Sequence, residues 1–375
     1  MNNKILLSLS ILVILFSSCK KENTGPAPAG ISTPVQTRVY CIAAVEQVWD
    51  YAPQGYDVFT GMPYDMNDSM YAVNLPGGPT PRIGSQNLKA RYVLYTDTTF
   101  TTPAPVPAEW QHLGILGPVI RANVGDSVIV YFKNMTTINT SIHVHGLLYD
   151  VNSEGAAYNN GATSGTSIPS NGKYMYKYFA RDGAGPGPTQ GSSVVWLYHS
   201  HVNMDESDLY SGLCGAIIVT RRGLGDINAK PIDVDREFVT LFFIWNENSS
   251  EYLTANENTY CPGFTNPDPD DFEESNKKHS INGMFMGNLP GLVMNKGERV
   301  RWYLVSLGNE VDLHTPHWHG NTVTYNGQHT DVLELLPAAM LTADMIPDNP
   351  GTWAFHCHVS DHMMAGMSAL YTVNP

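Results

Sequence analysis

Short β-branched and aromatic runs, cut apart by Gly, Asp and Asn, recur along the chain. Ser127-Val-Ile-Val-Tyr-Phe132 and Val300-Arg-Trp-Tyr-Leu-Val305 are two of them, and both read as strands bounded by turns. With 33 Gly and 25 Pro in 375 residues, the composition is that of turn-rich β structure, and the length fits two domains that each bury a core. Short strands at this spacing predict an all-β fold of two Greek-key β-sandwiches in tandem. The charged, Gly- and Pro-containing residues 221–236 are the expected link, with domain 1 over 35–222 and domain 2 over 234–375. Residues 183–191, rich in Gly and Pro, read as a surface loop, because no helix pattern follows to make them a phosphate cradle.

One apolar run departs from this texture. Lys4 is followed by apolar residues from Ile5 to Phe16 and then by Ser17, Ser18 and Cys19, the layout of a secretory signal. The run is too short to span a bilayer. Its small-small-Cys ending is similar to the processing site of bacterial lipoproteins, which implies a signal over residues 1–19, a lipid anchor on Cys19 and a place in the cell envelope, facing the periplasm or on the cell surface. An ordinary cleaved signal with an incidental Cys19 is the alternative. Residues 20–34 are polar and Pro/Gly-rich, a flexible tether. The formal charge of −14 argues against nucleic acid and suits a cationic substrate such as a metal ion.

The densest chemistry lies in His356-Cys357-His358, followed by His362 and Met367. Side chains alternate along a strand, so His356 and His358 share one face, about 6 to 7 Å apart, while Cys357 turns the other way. Cys357, His362 and Met367 are three ligands of a blue-copper centre, whose usual set is two His, one Cys and a weak axial Met. His314, set apart from the alternating pair His317 and His319, offers the fourth. Two further pairs, His143 with His145 and His199 with His201, lie in the first half. Together these are the ligand inventory of a mononuclear copper joined to a three-copper cluster. Structural zinc closes at four tetrahedral ligands and has no use for a Cys flanked by two His that face away from it. If Cys19 carries lipid and Cys357 copper, then Cys41, Cys214 and Cys261 remain, and an oxidising compartment allows one disulfide whose pairing the sequence leaves open.

The same strings form an internal repeat. Trp196-Leu-Tyr-His-Ser-His aligns with Trp353-Ala-Phe-His-Cys-His, and His143-Val-His-Gly with His317-Trp-His-Gly. In the first copy Thr140, Ser200, Asp205 and Tyr210 stand where the second has His314, Cys357, His362 and Met367. One blue copper per chain is therefore expected, in domain 2.

On these residues the chain resembles the multicopper oxidases, and most closely their ceruloplasmin and hephaestin branch. Trp196-Leu-Tyr-His-Ser-His-Val, His112-Leu-Gly-Ile-Leu-Gly-Pro118, Gly308-Asn-Glu-Val-Asp-Leu-His314 and His356-Cys-His-Val-Ser-Asp-His362 carry the likeness, which runs from about Thr37 to the C-terminus. It includes Tyr95-Thr-Asp97 and Glu274-Ser-Asn-Lys-Lys-His279-Ser-Ile-Asn-Gly283, which a generic laccase is not expected to share. The resemblance implies cupredoxin-like domains, four coppers per catalytic unit, and oxidation of a donor coupled to four-electron reduction of O₂ to water. Carried over by position, His314, Cys357, His362 and Met367 would bind the type 1 copper and His143 and His317 the type 2. His145, His199 and His358 would hold one type 3 copper; His201, His319 and His356 would hold the other. Cys357 would link the sites through its own backbone. In six-domain ceruloplasmin the cluster lies between the first and last domains, so this chain would close its ring as a homotrimer, domain 2 of one subunit meeting domain 1 of the next. An intrachain cluster in a monomer is the alternative.

For the donor, the resemblance matches Glu274, His279 and Asp361 to an iron-binding site beside the blue copper, with Glu310 arriving from the neighbouring subunit. Carboxylate oxygens with one imidazole suit Fe(II) and bind Fe(III) more tightly. Ferroxidase activity is therefore expected. A laccase-like phenol oxidase or a cuprous oxidase is the alternative, and the 15 Met, which form no Met-rich lid in the sequence, count against the cuprous reading. A two-domain copper nitrite reductase would carry its blue copper in domain 1, where the ligands are missing. A non-enzymatic copper-binding module is opposed by the complete ligand set.

Overall fold

The computed structural model describes residues 30–375 apart from 79, 205, 264, 266 and 267. The signal, the anchor Cys19, most of the tether and Asp205 lie outside the described residues. The first half holds β1 (Thr37–Asp50), α1 (Met66–Ala72), β2 (Gln86–Tyr95), β3 (Ile120–Asn123), β4 (Ser127–Asn134), β5 (His143–Val144), β6 (Lys173–Phe179), β7 (Ser193–His199), α2 (Ser207–Tyr210) and β8 (Cys214–Thr220). Its strands form two four-stranded sheets in the orders β2-β1-β4-β6 and β3-β8-β7-β5. The second half holds β9 (Arg236–Asn246), α3 (Leu253–Tyr260), α4 (Pro269–Ser275), β10 (Lys277–Ile281), β11 (Val293–Asn295), β12 (Val300–Ser306), β13 (Pro316–Trp318), β14 (Val323–Tyr325), β15 (Gln328–Thr330), β16 (Met340–Met345), β17 (Gly351–Cys357), α5 (Ser360–Met364) and β18 (Ser368–Asn374). Here a six-stranded sheet, β10-β9-β12-β16-β14-β15, faces a four-stranded one, β11-β18-β17-β13. The all-β sandwich architecture is as the run pattern predicts.

Burial along each strand explains its composition. β4 alternates between half-buried and buried positions, with Val128, Val130 and Phe132 in the first sandwich core beside Ile217 and Val219 of the facing sheet. β8, β9 and β12 are instead buried on nearly every residue. In β9, Phe238, Phe242 and Ile244 enter the second sandwich core, while Val239, Leu241, Phe243 and Trp245 enter a third. That third core also takes Leu197 of β7 and Ala216 and Ile218 of β8, so it joins the two halves. A strand buried on both faces must be apolar throughout, which is why these runs do not alternate.

Polar groups cross the same joint. Lys89 Nζ and the Tyr51 hydroxyl both donate to Glu247 Oε1 at 2.5 Å, with Lys89 and Glu247 fully buried. Arg301 donates to Ser192 and Ser193 across the joint and pairs with Asp344. Residues 221–235 between β8 and β9 are themselves pinned: Thr220 Oγ1 donates to the Ala229 carbonyl and Arg299 pairs with Asp235.

One expectation is corrected. Cys41, Cys214 and Cys261 are all free thiols. They sit in three separate apolar clusters, against Ala43 and Phe100, in the joint core, and against Ile83 and Phe272, so among the described residues none has a partner to oxidise with.

Candidate metal centre

Strand alternation sends Cys357, at the end of β17, into the second sandwich core, where it is fully buried. His362 follows on α5, a single turn long. Gly366, at φ 100°, then reverses the chain, a backbone state that suits glycine, and a Cβ there would meet Met286 Cγ at 2.9 Å. The reversal lets Met367 return beside Cys357, whose N–H donates to the Met367 carbonyl at 3.0 Å. His314 comes from a bridge with Leu335, paired by two backbone hydrogen bonds of 2.9 Å. Cys357 Sγ lies 3.9 Å from His314 Nδ1 and 3.7 Å from His362 Nδ1, and the two nitrogens are 3.1 Å apart. A trigonal ion with bonds of about 2.0 Å to nitrogen and about 2.3 Å to sulfur needs edges of about 3.5 and 3.7 Å, so the three atoms fit one. Met367 is fully buried in the same cluster as Cys357.

The protons are arranged for a cation. His314 Nε2 lies 3.2 Å from Asp312 Oδ1, so that nitrogen carries the hydrogen and Nδ1 keeps its lone pair. Burial, then the neighbouring His314, pushes His362 down to about 4, leaving it neutral at pH 7. Burial pushes the Cys357 thiol up, although the Thr315 N–H donates to Sγ at 3.4 Å. A buried sulfur facing two imidazole lone pairs is a soft donor set that suits copper.

The eight paired histidines fall into two groups. β5 pairs with β7 so that His143 faces His199, and β13 pairs with β17 so that His317 faces His356, the same register in both halves of the repeat. In the first group His145 Nε2 and His199 Nε2 are 3.2 Å apart, and the His201 ring lies 5.4 Å from that of His199. In the second, His356 Nε2 lies 2.9 Å from His319 Nε2 and 3.2 Å from His317 Nδ1, with the His358 ring 5.1 Å from that of His317. His143, His199 and His356 donate their Nδ1–H to carbonyls at 2.7 Å, which turns each Nε2 lone pair inward. Burial, then the neighbouring imidazoles, pushes His145 down to about 4 and His199 to about 3. Among the described residues no hydrogen bond or ring contact joins the two groups. His319 and His358 are exposed on the surface of the chain.

The positions equivalent to the Cys357 centre in the first half hold no ligand cluster among the described residues. Thr140 pairs with Ile168 through the backbone, Ser200 Oγ accepts from the Ser141 N–H, and Tyr210 stacks on Phe243 at 5.3 Å.

Of the proposed donor residues, the fold gathers three around Tyr71 of α1. The Tyr71 hydroxyl donates to Glu274 Oε1 at 3.2 Å, its ring meets the His279 ring edge-on at 6.0 Å, and the charges of Glu274 and Asp361 add to burial in raising its pKa. The His279 ring lies 5.2 Å from that of His362, and its Nδ1 is buried without a hydrogen-bond partner. Lys277 Nζ pairs with Glu274 Oε2 at 2.8 Å. Glu310 is not brought to this group; it is exposed on the loop before His314 and acts electrostatically on Tyr210. Sequence reading missed Asp312 and Tyr71. Asp312 had a signal, two residues before His314; Tyr71, about two hundred residues from Glu274, had none.

Two family models described as multicopper oxidase match the chain, over residues 113–223 and 261–375. The chain belongs to the multicopper oxidase family, and that family implies copper. Within the family it is 42% identical to a human protein named Ferroxidase HEPHL1, 39% to human hephaestin and 41% to human ceruloplasmin, in each case over 90% of its own length. That places it with the ceruloplasmin and hephaestin branch. It spans only 29 to 30% of the length of these relatives. Two solved multicopper oxidases, one of them mgLAC, share the fold at TM-scores of 0.55 and 0.57, with 17 and 18% identity, covering 90% of this chain and 89 and 86% of theirs.

Proposed function

We propose that this chain is the subunit of a ferroxidase, oxidising four Fe(II) to Fe(III) for each O₂ that is reduced, with four protons taken from solvent, to two waters. The observation that carries this reading is His279, whose buried Nδ1 has no partner and whose ring adjoins His362, with the Glu274 carboxylate held nearby by Tyr71. Hard oxygen plus one imidazole suits iron and favours the ferric product, which makes the electron easier to release. Lys277, now paired with Glu274, would yield its place to the incoming cation. The Asp361 carboxylate acts electrostatically on both Tyr71 and His362, and the net charge of −14 raises the local concentration of cations. That several relatives carry the name ferroxidase or hephaestin supports the same donor.

When bound, one type 1 copper would accept single electrons at His314, Cys357, His362 and Met367, and one type 2 with two type 3 coppers would reduce O₂ among the paired histidines. The chain supplies Cys357 bonded through its peptides to His356 and His358, so the two sites share one strand. The separation of the two histidine groups within the chain supports a cluster built between subunits, closed as a homotrimer. Glu310 would then reach the iron site of an adjacent subunit. A lipid on Cys19 would hold the assembly at the cell envelope.

Glu274→Ala with His279→Ala tests the donor. We expect a loss of about 10 to 100-fold in kcat/KM for Fe(II), an unchanged blue absorption, and little change for a small phenol. Equal loss for both donors would place the damage at the copper centre, and no loss for iron would return these residues to the solvated surface.

A further inference from the structure

A pocket of about 250 Å³ lies beside β2, and none of the candidate copper or iron ligands lines it. Its walls are residues 91–94 of β2, residues 104–107 and residues 116–119, together with Trp110, Leu113 and Arg121. The lining is mainly apolar and holds no carboxylate. Trp110, Leu113, Leu116 and Val119 also pack in the core that joins the two halves of the chain. An apolar cleft at such a joint, with a few polar groups on its wall, is the usual setting of a small-molecule site.

Arg91 is the polar group left over. Its Nε and Nη2 donate to the Leu116 carbonyl, on the pocket wall, at 3.4 and 3.2 Å. Among the described residues it makes no ion pair, whereas Arg121, the other arginine of the lining, is held by Glu237 at 2.7 Å and lies over the Trp110 ring at 5.2 Å. Burial pulls the Arg91 pKa down from its ordinary value, yet a guanidinium keeps its charge at any physiological pH. A chain with a net charge of −14 thus leaves a half-buried cation without a counter-ion. The strand edge is open at the same place. The Ala90 N–H donates to the Ser211 carbonyl and the Leu94 carbonyl accepts from the Ala104 N–H, both at 2.8 Å and both on the side of β2 away from β1. Tyr92 lies midway between them, so by strand parity its N–H and C=O face that free edge, where among the described residues neither has a hydrogen-bond partner. Its side chain turns into the first sandwich core instead, donating to the Ser141 carbonyl at 2.5 Å.

We propose that this pocket binds a small organic monocarboxylate, its carboxylate on Arg91 and its aromatic or branched aliphatic body against Leu94, Val106, Trp110 and Val119. A planar guanidinium matches a carboxylate through paired N–H donors, and one uncompensated cation calls for one negative charge. The apolar walls reject a bare inorganic anion, which would lose its hydration there, and the lack of a lining carboxylate rejects a cation. The site does not depend on the identity of the electron donor.

The probe is 3-phenylpropanoate, titrated by calorimetry into the assembled, copper-loaded protein, with 3-phenylpropanamide and acetate as controls. It should bind at one site per chain. The amide, which lacks the charge, and acetate, which lacks the body, should each bind at least about tenfold more weakly. Arg91→Gln, which keeps a donor for the Leu116 carbonyl, should weaken 3-phenylpropanoate by at least about tenfold and leave the blue absorption and the oxidase rate unchanged. Val106→Asp, at a position 58% exposed, sets a like charge at the mouth without altering Arg91 and should lower the affinity in the same direction. Full affinity in both variants, an amide or acetate that binds as tightly as the probe, or no saturable uptake by the parent would each overturn the assignment. Uptake by dissociated subunits alone would overturn it too, by giving the pocket to a neighbouring copy of the chain.

Discussion

Cys357 and its two neighbours divide one strand end between two sites, and that division follows from alternation alone. The sulfur enters the core beside His314 and His362 while His356 faces His317 and His319. Cys357→Ser should abolish the intense blue absorption and the oxidase activity while copper remains bound at the paired histidines, as metal analysis would show; a variant that stayed blue would mean that another thiol is the ligand. Asp312 acts through His314, fixing which nitrogen keeps its lone pair. Asp312→Ala should therefore weaken retention of the Cys357-bound copper by about 10 to 100-fold in a chelator competition, and Asp312→Asn, which keeps an acceptor oxygen, should recover most of it. The ligand residues were legible because His and Cys at these spacings have few other uses. Tyr71 was not, because only the packing of α1 against α4 and β10 brings a tyrosine to Glu274.

At the scale of elements, the runs around Val128 and Trp302 announced strands, and the structure adds why some alternate and others do not: β9 and β12 lie between two cores. Local sequence cannot tell a strand buried by its partner sheet from one buried by the other half of the chain. The same packing hides Lys278 on β10, fully buried, with its ammonium donating to the carbonyls of Tyr71 at 2.9 Å and Ser275 at 2.6 Å. It thereby pins α1 and α4, the carriers of Tyr71 and Glu274, to the strand that carries His279. Burial lowers its pKa to about 7, well below that of an exposed lysine. Above that value the unfolded chain binds more protons than the folded one, so stability should rise with pH from about 7 toward the unfolded lysine value. Urea unfolding of the metal-free chain between about pH 7 and 8, where unfolded thiols with a pKa of about 8.5 are still mostly protonated, should show this rise, and Lys278→Met should flatten it. A wild-type stability that fell over that interval would contradict the assignment.

At the scale of the whole molecule, the repeat predicted two copies of one sandwich with unequal duties. Ser200 and Tyr210 now occupy, by hydrogen bonding and stacking, what Cys357 and Met367 occupy in the second copy. Among the described residues the two histidine groups stay apart, and whether a second subunit joins them is a matter of surfaces and symmetry that sequence does not encode locally. Exposed His319 and His358 on one half, with the first-half group separate from them, support a head-to-tail contact that closes into a ring. Co-assembly of two inactive subunits tests this most directly. One carries His199→Ala with His201→Ala, the other His356→Ala with His358→Ala. Every mixed trimer then contains one interface that pairs two intact halves, so random mixing in equal amounts should restore about a quarter of wild-type activity. No recovery from verified mixed oligomers, or full activity in a wild-type monomer, would contradict a cluster shared between subunits.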